Sequence, residues 1–285
     1  MQNRSVCILL FLSASLSAQS VKTFELTTSE DGTVEMPDGS TLPVWTFQIA
    51  GSPAAYPGPR LVVEEGDSVR VGVYNAGSMA HTFHLHGFGS DTSNNGEPMN
   101  PLIVQPGNTG VFSFRANAVG DYYYHCGAQN PIHGQMGMAG LLTVLAAGGE
   151  KRAYTGGPKF FKDYHWLLDE IDKEWRLNPP KPADLPLFLP DYFLINGRSG
   201  DALGDYTGDV AILTALDQLP VFLTVTHSGV GRREVVFPEM VLATLVVRNG
   251  EPQIPAVPTD TLDLLPGESF GMMLQPALNG EDSIQ

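Results

Sequence analysis

The sequence predicts an all-β chain built from two similar β-sandwich domains, on three observations: a turn-rich composition, short runs of alternating apolar residues, and a repeat of the same pattern in the second half. The 285 residues include 31 Gly and 22 Pro, which punctuate the whole chain instead of gathering in a linker. Val69, Val71 and Val73 alternate with other residues after the turn Glu65-Gly66-Asp67, the period of a half-buried strand. Phe112 and Phe114 alternate with Ser113 and Arg115 after Gln105-Pro106-Gly107-Asn108, and 121–126 follow Val119-Gly120 as a further strand. Helical periodicity is scarce. Its best candidate, 159–176, holds Trp166, Leu167, Leu168 and Ile171, which equally suit a strand entering a second domain.

The repeat extends this plan. Residues 219–226 resemble 67–74, with Val221, Leu223 and Val225 in place of the three valines. The turn Leu264-Leu265-Pro266-Gly267 resembles 104–107, and Phe270 and Met272 follow it as Phe112 and Phe114 follow the first. Continued without gaps, the first alignment sets Arg233, Val236 and Pro238 opposite His81, His84 and His86, so the second copy lacks that histidine set. The chain length suits two domains of ordinary size. The expected division is 19–148 and 149–285, with a break in Ala146-Ala147-Gly148-Gly149 and a Pro-rich segment at 179–190. Since the sequence ends at Gln285, before a last pair of strands, the second domain is expected to be C-terminally incomplete.

The N-terminus reads as a secretory signal over 1–18: Arg4 supplies a positive charge, 6–12 are apolar, and small residues lead to cleavage near Ala18. That apolar run is too short to span a bilayer. The mature chain is therefore expected to be exported, to a periplasmic or extracellular location. With 31 acidic against 16 basic residues the net charge is −15, which argues against nucleic-acid and anionic membrane surfaces as partners.

Of the two cysteines, Cys7 lies in the leader, and Cys126 is alone in the remainder. Cys126 stands in Tyr124-His125-Cys126, seven residues before His133 and twelve before Met138. A thiolate, an imidazole and a thioether on one segment are three of the four ligands of a blue-copper centre, which takes two His, one Cys and a weak axial Met. Ala80-His81-Thr82-Phe83-His84-Leu85-His86-Gly87 supplies the other histidine. Side chains on a strand alternate faces, so His84 and His86 share a side while His81 points away, and His125 and Cys126 also diverge. The consistent arrangement is one copper at His81, Cys126, His133 and Met138, and a second at His84, His86 and His125, linked by the bond between His125 and Cys126. Met136 reads as packing, as do Tyr122, Tyr123 and Tyr124, while His165 and His227 stand apart and read as structural. Asp91, in the loop after the histidine cluster, is a candidate for orienting a proton-carrying water.

Three segments resemble the multicopper oxidase and copper nitrite reductase superfamily: 59–67, His81 to Gly87, and Tyr124-His125-Cys126 through His133 to Met138-Ala139-Gly140. The resemblance covers 40–148, with weaker similarity at 191–198 and 261–267. It implies tandem cupredoxin-like Greek-key sandwiches and an oxidoreductase in which type 1 copper takes electrons from a small reducing substrate or redox partner protein. The electrons would pass along His125-Cys126 to a type 2 or type 2/3 copper site, at a subunit interface of a possible homotrimer, where oxygen is reduced. Nitrite reduction is the alternative activity, and a non-enzymatic blue-copper electron carrier is a third reading. The sequence also departs from both patterns. Oxygen-reducing relatives carry His where this chain has Gly127, and nitrite reductases carry Asp where it has His84. The five histidines left after His81 and His133 are too few for a complete trinuclear centre.

Overall fold

The computed structural model describes residues 20–87, 102–183, 185–204 and 220–277. The leader, Asp91 and the last residues of the chain lie outside them. The first half holds β1 (Val21–Glu35), β2 (Thr41–Ile49), β3 (Leu61–Glu64), β4 (Ser68–Tyr74), β5 (His84–Leu85), β6 (Thr109–Arg115), β7 (Gly120–His125) and β8 (Ala139–Leu145), with the one-turn helix α1 (Ile132–Gln135) before β8. Two four-stranded sheets result, in the orders β2-β1-β4-β6 and β3-β8-β7-β5. Val71 lies opposite Phe112 and Val69 opposite Phe114, so the alternating residues all enter one face. There they meet Leu61, Val63, Tyr122, Tyr124, Leu142 and Val144 of the other sheet in a single core. Phe83 stacks on Tyr124 with ring centroids 4.9 Å apart, and Phe47 meets both edge-on. Full burial of an apolar side chain of this size contributes about 1.5–3 kcal/mol, which makes this core a firm support for the loops at its end.

The second half holds β9 (Asp163–Ile171), the short helix α2 (Lys173–Leu177), β10 (Tyr192–Ile195), β11 (Val221–His227), β12 (Arg233–Val236), β13 (Val241–Arg248), β14 (Glu251–Pro258), β15 (Thr261–Leu264) and β16 (Ser269–Pro276). One sheet runs β10-β9-β11-β16-β13-β14, and β12 pairs with β15 across a second core. The segment 159–176 is thus a strand followed by a helix. Tyr164, Trp166 and Leu168 face the second core, whereas Leu167 packs against Tyr123 and Leu141 of the first half. Both faces of β9 are covered, which erases the alternation expected of a strand. Asp172 then caps α2 by accepting the amide of Trp175 at 3.1 Å.

The sequence repeat reappears in the strand pairing. β1 runs parallel to β4 and β4 antiparallel to β6; β9 runs parallel to β11 and β11 antiparallel to β16. Leu26 lies opposite Val73, and Trp166 lies opposite Val225. His81 bridges to Val104, and Arg233 pairs with Leu264. The alignment that matches Val73 with Val225 therefore also places Arg233 where the first half has His81.

The halves meet along β7, whose residues are buried throughout. Tyr122 and Tyr124 belong to the first core and Tyr123 to the cluster with Leu167. Between the halves, His165 Nδ1 lies 2.8 Å from Asp121 Oδ2 and its Nε2 lies 2.9 Å from Asp163 Oδ2. Burial opposes charge on His165, but the two carboxylates outweigh it and push its pKa up to about 9. His227 is buried, with its ring against the Gly231 carbonyl and the Gly229 amide. Among the described residues no helix is long and apolar enough to cross a membrane.

Candidate metal centre

His81 enters from the loop after β4 and is held by paired backbone hydrogen bonds to Val104, 3.0 and 2.7 Å. Cys126 follows the last residue of β7, and His133 sits in α1. All three are completely buried, and their donor atoms converge. His81 Nδ1 lies 3.3 Å from His133 Nδ1, and Cys126 Sγ lies 3.6 Å and 3.3 Å from these two nitrogens. Donors so spaced surround a point about 2 Å from each, the length of a metal–imidazole bond. The Cys126 amide donates to the Met138 carbonyl at 3.0 Å, and the fully buried Met138 packs in the same core cluster. Met136 packs instead with Ile132 and Trp175.

The electrostatics suit a metal better than a proton. Burial lowers the pKa of His133 to about 4, with His81 adding to the effect, and burial also lowers that of His81 despite Glu30. Both imidazoles are neutral, with lone pairs free for coordination. Burial raises the Cys126 thiol to about 11, against the lowering effect of the Thr82 and Ala128 amides. Metal entry must therefore displace a proton from sulfur. The Thr82 amide, 3.5 Å from Sγ, is placed to stabilise the thiolate that results. Two neutral imidazoles and one thiol match three of the four donors of a blue-copper site, and Met138, in the same core cluster, is the candidate for the fourth.

The second set lies on the other face of the same strand end. His84 pairs with His125 across β5 and β7, and His86 follows β5. His86 Nε2 and His125 Nε2 are 2.9 Å apart, and the His84 ring lies 4.8 Å and 5.2 Å from the other two rings. The three offer ligand atoms within 4.8 Å of one another. His125 Nδ1 lies 3.0 Å from the Cys126 carbonyl; donating there leaves Nε2 as the ligand atom. Tyr123 stacks on His125 at 4.8 Å, nearly parallel. Burial depresses the His125 pKa to about 3, aided by His86 and His84, so His125 too is neutral. A side chain at Gly127 would contact Thr82 and His84, which places the position within reach of this set.

The structure brings together the residues of both sets that the sequence groups, except that it gives no thioether position for Met138, and it surrounds them with groups that the sequence does not mark. Glu30 of β1 touches His81 Nε2 at 3.0 Å. Trp45 lies edge-on to His133 at 5.3 Å, covering it from β2. Arg176 of α2 donates to the Met136 carbonyl at 2.8 Å, bracing the loop that leads to Met138. A cavity of about 200 Å³ beside His86 and His125 is lined by Gln135, Ser228 and Gly267, among others. Gly267 adopts φ +84°, and a Cβ there would run into the His86 ring, so glycine serves both the turn and the close approach. Asp91 lies outside the described residues. Among the described residues His165 and His227 join neither set.

A family model described as multicopper oxidase matches residues 29–148, the segment that carries both donor sets. A copper-containing nitrite reductase of Alcaligenes xylosoxydans xylosoxydans is 32% identical over 171 residues, 59% of this chain and 47% of that protein. These matches support the multicopper oxidase and copper nitrite reductase superfamily for the segment that carries both donor sets. A second relative, the copper-containing nitrite reductase of Pseudomonas chlororaphis, is 28% identical over 73% of this chain and 58% of its own length. The chain thus spans about half the length of the curated relatives it matches. In fold it is similar to the blue copper oxidase of Nitrosomonas europaea, with a TM-score of 0.73 at 22% identity over 90% of this chain and 76% of that one. The copper nitrite reductase of the same organism gives 0.68 at 21% identity, over 90% and 85%.

Proposed function

We propose that the chain is a copper-dependent oxidoreductase in which His81, Cys126, His133 and Met138 would hold a type 1 copper, and His84, His86 and His125 would hold a second copper. The observation that carries this reading is adjacency: His125 and Cys126 are consecutive, yet each completes a different donor set. Copper at the two sets would supply one-electron chemistry, the first taking electrons from a small reducing substrate or redox partner protein and the second delivering them to oxygen.

The chain's own residues prepare that chemistry. The buried cores hold Cys126 and His133 in place, and the Thr82 amide supports the thiolate. The Cys126 carbonyl and the Tyr123 ring orient His125, so the two sets are joined by one covalent link and one hydrogen bond. The cavity beside His86 and His125 has room for a two- or three-atom acceptor. Export through the leader 1–18, division into a copper domain at 19–148 and a second domain at 149–285, and completion of the second site by a neighbouring subunit in a homotrimer belong to the same reading.

Nitrite as the acceptor is favoured by two observations: the sequence relatives are copper-containing nitrite reductases, and three histidines suit one type 2 copper. Copper content per chain, measured together with oxygen and nitrite consumption under an artificial reductant, separates the readings. Two or more coppers with oxygen uptake are expected. Nitrite consumption without oxygen uptake selects the second reading, and one copper with neither activity overturns both in favour of an electron carrier.

A further inference from the structure

We propose that Glu30 is a positioning residue that sets the reduction potential of the first copper site through His81, an inference that rests on the type 1 assignment above. A neutral His81 whose Nδ1 lone pair faces Cys126 and His133 carries its proton on Nε2, and that atom meets Glu30 Oε1 at 3.0 Å. The carboxylate is itself held in place. It accepts the Ser78 amide at 3.0 Å, the Ser78 hydroxyl at 2.7 Å and the Met79 amide at 3.1 Å. A carboxylate behind a ligating imidazole fixes its tautomer and raises its basicity. Its negative charge, one ring away from the metal, favours the cupric over the cuprous state.

The second half shows what this arrangement is without a metal ligand. Four residues beyond Leu26 lies Glu30, and four beyond its counterpart Trp166 lies Glu170. Glu170 accepts the Val230 and Gly231 amides at 2.6 and 2.9 Å and pairs with Arg233. These residues stand where the first half has Ser78, Met79 and His81. Gly77 and Gly229 also correspond, and a Cβ on either would overlap the carboxylate beside it. The clamp of a carboxylate on two amides thus belongs to the fold and occurs in both halves. In the first half its remaining contact is an imidazole that also faces a cysteine. His133 has no such support: its Nε2 is buried without a hydrogen-bond partner among the described residues.

The test is Glu30→Gln, which keeps size and acceptor capacity while removing the charge, followed by spectroelectrochemical titration of the copper-loaded protein at one pH. Blue absorption is expected to persist, with the cupric-to-cuprous ratio at fixed poise falling about tenfold, a rise of about 59 mV for a one-electron couple. Gly77→Ala displaces the same carboxylate without altering it and is expected to raise the potential by a smaller amount. Blue variants with unchanged potentials would overturn the proposal while leaving the type 1 assignment intact. A wild type without blue absorption would overturn that assignment and this proposal together. Long-range proton–nitrogen NMR of the copper-free wild type reads the tautomer independently of either variant folding: a proton on His81 Nε2 is expected, and one on Nδ1 overturns the proposal.

Discussion

The two halves share one strand plan but only the first carries convergent metal donors among the described residues. Where the first half has Glu30, Ser78, Met79 and His81, the second has Glu170, Val230, Gly231 and Arg233, with the same backbone hydrogen bonds. Around this clamp the difference lies in side chains, while beyond it the sheets also differ, two of four strands in the first half against one of six and one of two in the second. The fold supplies rigid loop ends and a carboxylate clamp, and the identity of the residue on that clamp decides between a metal ligand and a salt bridge. The second half is still part of the site's surroundings. Its turn at Pro266-Gly267 lies against His86, its helix braces Met136, and Ser228 lines the cavity beside His125.

The largest effect that would break this comparison is on Cys126. The second half has no thiol, so Cys126→Ser should make the first half equally colourless, abolishing the blue absorption; an optical spectrum that kept its colour would refute the type 1 assignment. Next is the joint between the halves. The folded pKa of His165, about 9, lies above its ordinary value near 6.5, so its stabilisation is complete below that ordinary value and lost as pH rises through 9. His165→Gln should cost on the order of 3 kcal/mol in urea unfolding near pH 6, with the difference vanishing above about pH 10. A pH-independent difference would show that His165 acts through packing alone.

A smaller effect is expected where the second half touches the second site. Gly267→Ala should weaken copper binding at the histidine cluster about tenfold while leaving the blue absorption intact, as read by equilibrium dialysis beside the optical spectrum. Equal affinity would mean that the turn plays no part in positioning His86. The smallest change is expected from Arg233→His, which copies the first half's ligand into the second. No new copper signal should appear by electron paramagnetic resonance, since one imidazole without a thiolate makes no type 1 site.

Legibility in the sequence followed distance along the chain. Val69, Val71, Val73, Phe112 and Phe114 announced their strands because one face of each is core and the other is not. Both histidine sets were visible because 81–86 and 125–138 are short segments in which strand alternation sorts side chains by face. Glu30 was not visible: it reaches His81 only through the parallel pairing of β1 with β4, a register that no local pattern encodes. The same holds for Asp121 and His165, joined by packing of β7 against the second sheet. β9 hid its strand character because both of its faces are covered.

The central claim is that two distinct metal sites share the end of β7, one on each side of the bond between His125 and Cys126. Electron paramagnetic resonance of the copper-loaded wild type and of His86→Ala tests it most directly. Two inequivalent cupric signals are expected in the wild type, with the type 1 signal alone surviving in His86→Ala. A single signal in the wild type, or loss of both signals in His86→Ala with the protein still folded, would contradict the account.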